Sequence, residues 1–407
     1  MIKKRPKTEL LAPAGNLEKA KIALWYGADA VYVGGKEFSL RARASNFTKE
    51  DLQEISEFAH QLGKKLYVTC NIIPHDEDLT GLEAYLTYLY QIKVDAIITS
   101  SLAIMTVARR VTPKLEIHVS TQMSITNHQA IKFWQSIGAT RVVLAREVSL
   151  KEMGALKVNS KLELEVFIHG GMCASYSGRC VLSNYMTGRD ANRGGCAHSC
   201  RWNYHLRFNK KLINRRNEFF NMGSKDLIAI NYLYDLLHLG VASLKIEGRM
   251  KSTYYLATVI RAYRKLIDEY YNTGRISELS TKRALEEVAK AENRLTGTGF
   301  LGGTVTPHEQ LFDTRNEEPT KEYIGYVLDY DSKTKTALIE QRNYFEVGDA
   351  VEFFGPSLEN TTTIIENMVS VETGETLTVA RHPLERLYIT VPFELKKHDM
   401  MRLIKKC

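Results

Sequence analysis

ELLAPAGNLEKAKIALWYGADAVYVGG, residues 9–35, contains one complete strand–helix–strand unit. Two short apolar runs, ELLAPA (9–14) and AVYVGG (30–35), each end in small residues. The stretch between them is amphipathic, with Asn16 placed to cap a helix over residues 16–26. The same form recurs down the chain in KLYVTCN (65–71), DAIITS (95–100), EIHVST (116–121), RVVLARE (141–147), LELEVFIHG (162–170) and SLKIEG (243–248), which makes eight runs in all. The second helix, over residues 48–62, opens with Thr48 and Asp51 at capping-box spacing. Short strands that are apolar on both faces and alternate with helices form parallel sheets covered by helices. Eight such units predict an α/β fold closed into a TIM-like (β/α)8 barrel. The first strand is not followed by the G-x-G-x-x-G turn of an open, doubly wound dinucleotide-binding sheet.

In a barrel of this kind the chemistry sits where the strands end at their C-terminal side. The polar residues expected there are Asn71, His118, Gln122, Arg146, Glu147, His169, Glu247 and Arg249. Two further helices are expected over residues 252–272 and 281–293, followed by a Gly-rich stretch, TGTGFLGGTVTPHEQ, that reads as a linker. From about residue 323 the pattern changes to β segments with no helix between them: IGYVLDYD, TALIEQ, DAVEFFG, TTIIENMVS, ETLTVA and LYITVPF. These predict a small C-terminal antiparallel β-barrel. The expected organisation is therefore a barrel over residues 1–275 with an insertion at about 171–225, a helix and linker over 276–320, and the small β domain over 321–407.

A chain of 407 residues can hold one large core and a smaller domain. Its 44% hydrophobic and 25% charged content is that of a soluble globular protein. No run of ~18 apolar residues reads as a membrane span. The basic start, MIKKRPKTELLAPAG, lacks the apolar core of a signal peptide, so a cytoplasmic, reducing location is expected. The net charge of +8 is concentrated: residues 173–251 hold thirteen Lys or Arg against five Asp or Glu, a surplus equal to that of the whole chain. A concentrated surplus reads as a surface for an anion, with a merely solvated face as the plain alternative.

Four of the six cysteines, Cys173, Cys180, Cys196 and Cys200, lie within 28 residues at the spacing C-x6-C-x15-C-x3-C. Cys70 sits in a strand and reads as a small buried apolar residue, and Cys407 ends the sequence. Disulfides are disfavoured in a reducing compartment. Structural zinc prefers short C-x2–4-C pairs, a condition that only Cys196 and Cys200 meet. A cluster of iron and sulfide accepts irregular spacing, although spacing alone does not separate it from zinc. The first cysteine follows directly on the strand ending EVFIHGGM, so either metal would sit at the barrel mouth. Arg179, Arg189, Arg193 and Arg201 beside these cysteines could offset thiolate charge or grip phosphate.

The segment from Glu165 through Phe167, Gly170, Gly171, Met172, Cys173, Gly178 and Cys180 to Leu182 and Ser183 resembles the signature of the U-type collagenase-like peptidase family. The whole first unit, residues 9–35, SNYMTGRDANRGGC and SLKIEGRMKSTYYLATVIRAYR resemble it too. One departure is Gly171, where Ser or Ala is more usual. Length and the C-terminal β domain resemble the bacterial members that hydroxylate tRNA, the prephenate-dependent tRNA uridine hydroxylases acting at carbon 5 of the wobble uridine. The resemblance implies a 4Fe-4S iron–sulfur cluster on Cys173, Cys180 and Cys196, with Cys200 the natural fourth ligand here. It implies prephenate as co-substrate and a tRNA anticodon loop as partner. Arg41, Arg43, Arg146 and Arg249, near strand ends, are then candidates for the dicarboxylate, and His169 or Glu247 for moving the proton lost from the ring. Arg179, Arg189, Arg193 and Arg201 become candidates for RNA phosphates. Relatives that hydroxylate an rRNA base, and the peptidase activity in the family name, stand as alternatives. For peptidase activity His198, between Cys196 and Cys200, makes only a superficial nucleophile–base pair. A paralogous partner or a second identical chain stays open.

Overall fold

The computed structural model describes residues 7–40, 46–215, 218–291, 294–311 and 322–404. The eight apolar runs are eight parallel strands: β1 (Glu9–Pro13), β2 (Ala30–Gly34), β3 (Lys65–Cys70), β4 (Ala96–Thr99), β5 (Glu116–Val119), β6 (Arg141–Val143), β7 (Glu163–Gly170) and β8 (Ser243–Ile246). They pair in chain order and close, because β8 pairs in parallel both with β1 (Leu244 opposite Leu10) and with β7 (Leu244 opposite Val166). This is the expected (β/α)8 barrel. A short segment, Asp226–Ile228, adds antiparallel to the end of β7.

Helices α1 (Leu17–Trp25), α2 (Lys49–Gln61), α3 (Leu82–Gln91), α4 (Leu102–Val111), α5 (His128–Ser136) and α6 (Leu150–Asn159) follow the first six strands. Their starts are written in the sequence. Asn16 accepts the Lys19 N–H, Thr48 and Asp51 form the capping box of α2, and Ser149 and Glu152 form another on α6. Helix α7 (Leu182–Thr187) lies in the insertion, α8 (Leu233–Leu239) precedes β8, and α9 (Thr253–Thr273) and α10 (Glu278–Ala289) follow it. Among the described residues no helix is long and apolar enough to cross a membrane.

The barrel interior is layered. Leu11, Ala30, Tyr32, Tyr67, Ala96 and Ile98 form an apolar cluster. With it lies a buried ionic network. Arg141 of β6 reaches Glu9 of β1 (2.7 Å) and both Glu163 (2.7 Å) and Glu165 (3.1 Å) of β7. Lys245 of β8 pairs with Glu165 at 2.7 Å, and the Tyr67 hydroxyl donates to Glu9 at 2.5 Å. Burial pushes the Glu165 carboxyl up, but Lys245, Arg141 and His118 together outweigh it and hold it down at about 2. His118, expected at the mouth, belongs instead to this interior network. It lies within β5, its ring packs edge-on against Tyr67 with centroids 4.7 Å apart, and burial lowers its pKa.

The chain divides into two compact units. One comprises residues 1–286 and 294–318, the other residues 287–293 and 319–407. The stretch expected to be a linker is packed into the first unit: Leu150 N–H donates to the Leu301 carbonyl, and Leu311 N–H to that of Gly223. The second unit is a curled antiparallel sheet of β9 (Tyr323–Asp331), β10 (Thr336–Gln341), β11 (Ala350–Phe354), β12 (Thr361–Ile364), β13 (Val369–Ser370), β14 (Arg386–Thr390) and β15 (Met400–Leu403). Their order in the sheet is β12-β11-β15-β9-β10-β14-β13, around Ile339, Phe345, Phe353, Leu387 and Met401. The expected strands stop at LYITVPF, whereas the structure adds β15 between β11 and β9. Its residue Arg402 is buried against Glu287 (2.9 Å) and Glu352.

Removing one member of a buried ion pair leaves its partner charged and desolvated, at a cost of about 3–5 kcal/mol. Glu165→Gln is therefore expected to lower the unfolding free energy by about that amount in denaturant titration. The double variant Glu165→Leu with Lys245→Met should lose clearly less.

Candidate active site

The mouth of the barrel is assembled where β7 and β8 end. Gly170 has φ +102°, and a Cβ there would lie 2.3 Å from the Glu247 carbonyl oxygen, so the two chain segments meet backbone to backbone. The Glu247 N–H donates to the His169 carbonyl (2.8 Å), and the Glu247 carboxylate accepts the Gly171 N–H (3.3 Å). Cys173 follows three residues after Gly170 and so lands at the rim.

The insertion then folds back over the strand ends. Ser177 donates its N–H and its hydroxyl to the Glu147 carboxylate (2.9 and 2.8 Å). A Cβ on Gly178, at φ +72°, would come within 1.8 Å of the Gln122 carbonyl. Asn71 donates to the Gln122 side chain at 2.8 Å. Asn71, Gln122 and Glu147 are thus at the expected edge, where they seat the cysteine-bearing loop.

Cys173, Cys180, Cys196 and Cys200 are all free thiols. Cys200 lies within electrostatic reach of the other three, and Cys173 within reach of Cys196, Arg146, Arg201 and Glu247. Burial pushes the Cys200 thiol up, against the pull of the Arg201 charge. Among the described residues no three His, Cys, Asp or Glu side chains close around a single ion. Four neighbouring thiols on Gly-rich loops are nevertheless a donor set that suits an iron–sulfur cluster. A cavity of about 150 Å³ adjoins Cys173, lined among others by Glu147, Met172, Tyr176, Lys225, Phe300 and Glu309. Part of that wall, Gly299–Gln310, comes from the stretch expected to be a linker; the Gly299 N–H is tied to the Glu309 carboxylate at 3.0 Å.

The arginines divide by partner. Arg146 lays its guanidinium 3.9 Å above the Phe167 ring, beside Cys173. Arg249 is buried and donates to Ser39 (3.3 Å) and Asn46 (2.7 Å), in the loop that follows β2. Arg41 and Arg43 lie outside the described residues. Arg179 is exposed and Arg189 half-buried. Arg193 and Arg201, expected to meet RNA, are engaged within the protein. Arg193 pairs with Asp78 at 2.6 Å, which braces the insertion to the loop after β3. Arg201 donates to the Met172 carbonyl (3.1 Å) and faces Asp226 (3.9 Å).

His169 is buried, with its ring against Tyr255 and Tyr263 and Nδ1 3.4 Å from the Tyr263 hydroxyl. Burial and the nearby Lys251 charge lower its pKa to about 3, so it is a neutral ring at ordinary pH and a weak base. Of the two residues expected to move a proton, His169 is thus packed as a neutral ring at the strand end, which leaves Glu247 as the remaining candidate. Sequence reasoning missed Asp226, which gathers Arg294 (3.4 Å), Lys251 (3.5 Å) and Arg201 (3.9 Å) at the rim. Burial pushes its carboxyl up against those cations. The available signal was the apolar run DLIAI that Asp226 opens.

Comparison with known proteins covers nearly the whole chain. Residues 15–310 match Peptidase family U32, and residues 319–402 match the Peptidase family U32 C-terminal domain. The chain is 47% identical to tRNA hydroxylation protein P1 of Bacillus subtilis over 407 aligned residues, 99% of this chain and 96% of that one. It is 33% identical to tRNA hydroxylation protein P of Escherichia coli, over 96% and 95% of the two chains. It is 40% identical to the Escherichia coli 23S rRNA 5-hydroxycytidine C2501 synthase, over 64% of this chain and 39% of that protein. The two family matches take in most of the barrel, the cysteine-bearing insertion and nearly all of the C-terminal sheet, and the chain belongs to peptidase family U32.

Proposed function

We propose that this protein is an RNA hydroxylase that installs a hydroxyl group at carbon 5 of the wobble uridine of tRNA. In this reading the reaction depends on prephenate and on a 4Fe-4S cluster held by Cys173, Cys180, Cys196 and Cys200. The reaction class is supported by the relatives named for tRNA hydroxylation and for 5-hydroxycytidine synthesis. Prephenate and the wobble position come from the family resemblance. The observation that carries the reading is the setting of Cys173, within electrostatic reach of another cysteine, two arginines and a carboxylate at the end of β7.

The cluster, when bound, would supply one-electron and Lewis-acid chemistry next to the base. The protein's own residues do the rest. Arg146, its guanidinium plane fixed on Phe167, offers a carboxylate a bidentate donor face. Glu247, anchored through the Gly171 N–H, is placed to accept the proton that leaves carbon 5. The segment 299–310 contributes Gly299, Phe300, Val305, Glu309 and Gln310 to the wall of the cavity beside Cys173. Arg179 and Arg189 stand outside it, where phosphates of an unpaired loop would run.

Nucleoside analysis of cells with and without the gene tests the reaction. Loss of 5-hydroxyuridine derivatives from tRNA is expected, and their persistence overturns the proposal. A loss confined to a hydroxylated rRNA base would transfer the activity to the rRNA alternative. Anaerobically purified protein should be brown with broad absorbance near ~400 nm, and Cys173→Ala should bleach it while the fold is retained. Colourless wild-type protein with stoichiometric zinc would contradict the cluster.

His169 gives a pH prediction. Between pH 6.5 and about 3 the unfolded chain binds a proton at this ring that the native chain refuses, so stability falls as pH drops. The expected loss through His169 is about 2 kcal/mol by pH 5. His169→Asn should flatten stability between pH 6.5 and 5 in denaturant titrations, leaving the part due to buried His118.

A further inference from the structure

Much of the insertion's apolar surface is not buried. Tyr185 on α7 is 90% exposed, Phe208 69% and Trp202 41%. Soluble domains seldom leave several large rings in one segment open to water unless something covers them. Their surroundings say what kind of partner. Between residues 173 and 215 there are eight Lys or Arg and a single acid, Asp190, and the rings alternate with the cations: Trp202 follows Arg201, and Phe208 follows Arg207 and precedes Lys210 and Lys211. Cores of protein–protein interfaces are depleted of charge, whereas open rings set among cations are the pattern of single-stranded nucleic-acid sites.

The local backbone arranges these groups. Arg207–Phe208 and Lys211–Leu212 form a hairpin in which Phe208 is directly opposite Lys211. The two linking residues, Asn209 (φ +46°) and Lys210 (φ +63°), both have positive φ, as a type I′ turn requires. Directly opposed residues share one face of a β ribbon, so the Phe208 ring and the Lys211 ammonium project side by side. Trp202 and Tyr204 stack at a tilt, ring centroids 6.5 Å apart, immediately after Cys200, and the Tyr204 hydroxyl donates to the Ser199 carbonyl (2.7 Å). Helix α7, carrying Tyr185, begins two residues after Cys180.

We infer that Tyr185, Trp202 and Phe208 are stacking positions for the unpaired bases of an RNA loop, with Arg207, Lys210 and Lys211 on its phosphates. This rests on the RNA-hydroxylase reading and deepens it. The loop is held by one ring within the cysteine-bearing segment, Tyr185, and two that follow it, Trp202 and Phe208, and the ion-paired Arg193 serves as a brace rather than a contact.

The test measures affinity of the full chain for an RNA hairpin with an unpaired loop, and for a blunt duplex of the same stem, over a range of salt. Tyr185→Ala, Trp202→Ala and Phe208→Ala are each expected to weaken hairpin binding about tenfold or more, with little change on the duplex and an unchanged salt slope. Phe208→Tyr should keep wild-type affinity. Lys211→Ala should instead reduce the salt slope by about one. All four sites are on the surface, so melting temperature should be unchanged. Hairpin affinity that survives all three alanine variants overturns the inference. So does wild-type self-association, seen by sedimentation, that Phe208→Ala abolishes while RNA binding is kept; that result would assign the patch to a second copy. If tRNA hydroxylation in cells is confirmed and the alanine variants bind normally, only the stacking site falls. If no 5-hydroxyuridine depends on the gene, the underlying reading falls by its own experiment.

Discussion

The seam between β7 and β8 is where the barrel closes, and it is pinned by charge. Glu165 and Lys245 are both buried there and pair at 2.7 Å, with Arg141 as a second partner to Glu165. A shift of one residue in either strand would turn these side chains to the opposite face and strand charges without partners in an apolar medium. Hydrophobic burial alone would tolerate small slips between aliphatic strands; buried ions do not. The seam matters because both chain segments leaving it build the candidate site. His169 and Gly170 lead to Cys173 on one side, and Ile246 leads to Glu247 and Arg249 on the other. The contact of Gly170 with the Glu247 backbone holds only if that register holds.

The mouth is crowded with opposing charges that are balanced in groups rather than pairs. Asp226 is shared by Arg201, Lys251 and Arg294, and Cys173 feels Arg146 and Arg201 together with Glu247. Such sharing lets a site accept an anionic substrate or metal-bound thiolates without leaving any one cation stranded. It also separates the arginines into those that brace the insertion and those left facing solvent, a distinction that depends on three-dimensional neighbours.

The large architecture was legible in the sequence because each barrel strand is buried on both faces and therefore reads as a short apolar run between helical stretches. The cysteine insertion was legible because thiol clustering is rare. What escaped depends on contacts between residues far apart in the chain. Nothing local tells that Arg193 would meet Asp78, that Glu147 would hold Ser177, or that His118 would turn into the barrel among Tyr67 and Glu165. The Gly-rich stretch after α10 has the composition of a spacer, and its packing appears only once its carbonyl and N–H partners on the barrel are known. Strand β15 escaped because Arg402 and the flanking lysines make it look like a solvated tail, although Arg402 is buried between Glu287 and Glu352.

The place of β15 has a consequence for biosynthesis. This strand lies in the middle of its sheet, hydrogen-bonded to β9 on one side and β11 on the other, yet it is the last of the seven to leave the ribosome. Until it arrives, both neighbours expose open edges and the core around Met401 has a gap, the condition in which nascent sheets pair with the wrong chain. This unit can thus close only after translation has passed Leu403, and a chain cut before Met400 would leave β9 and β11 without the strand that joins them.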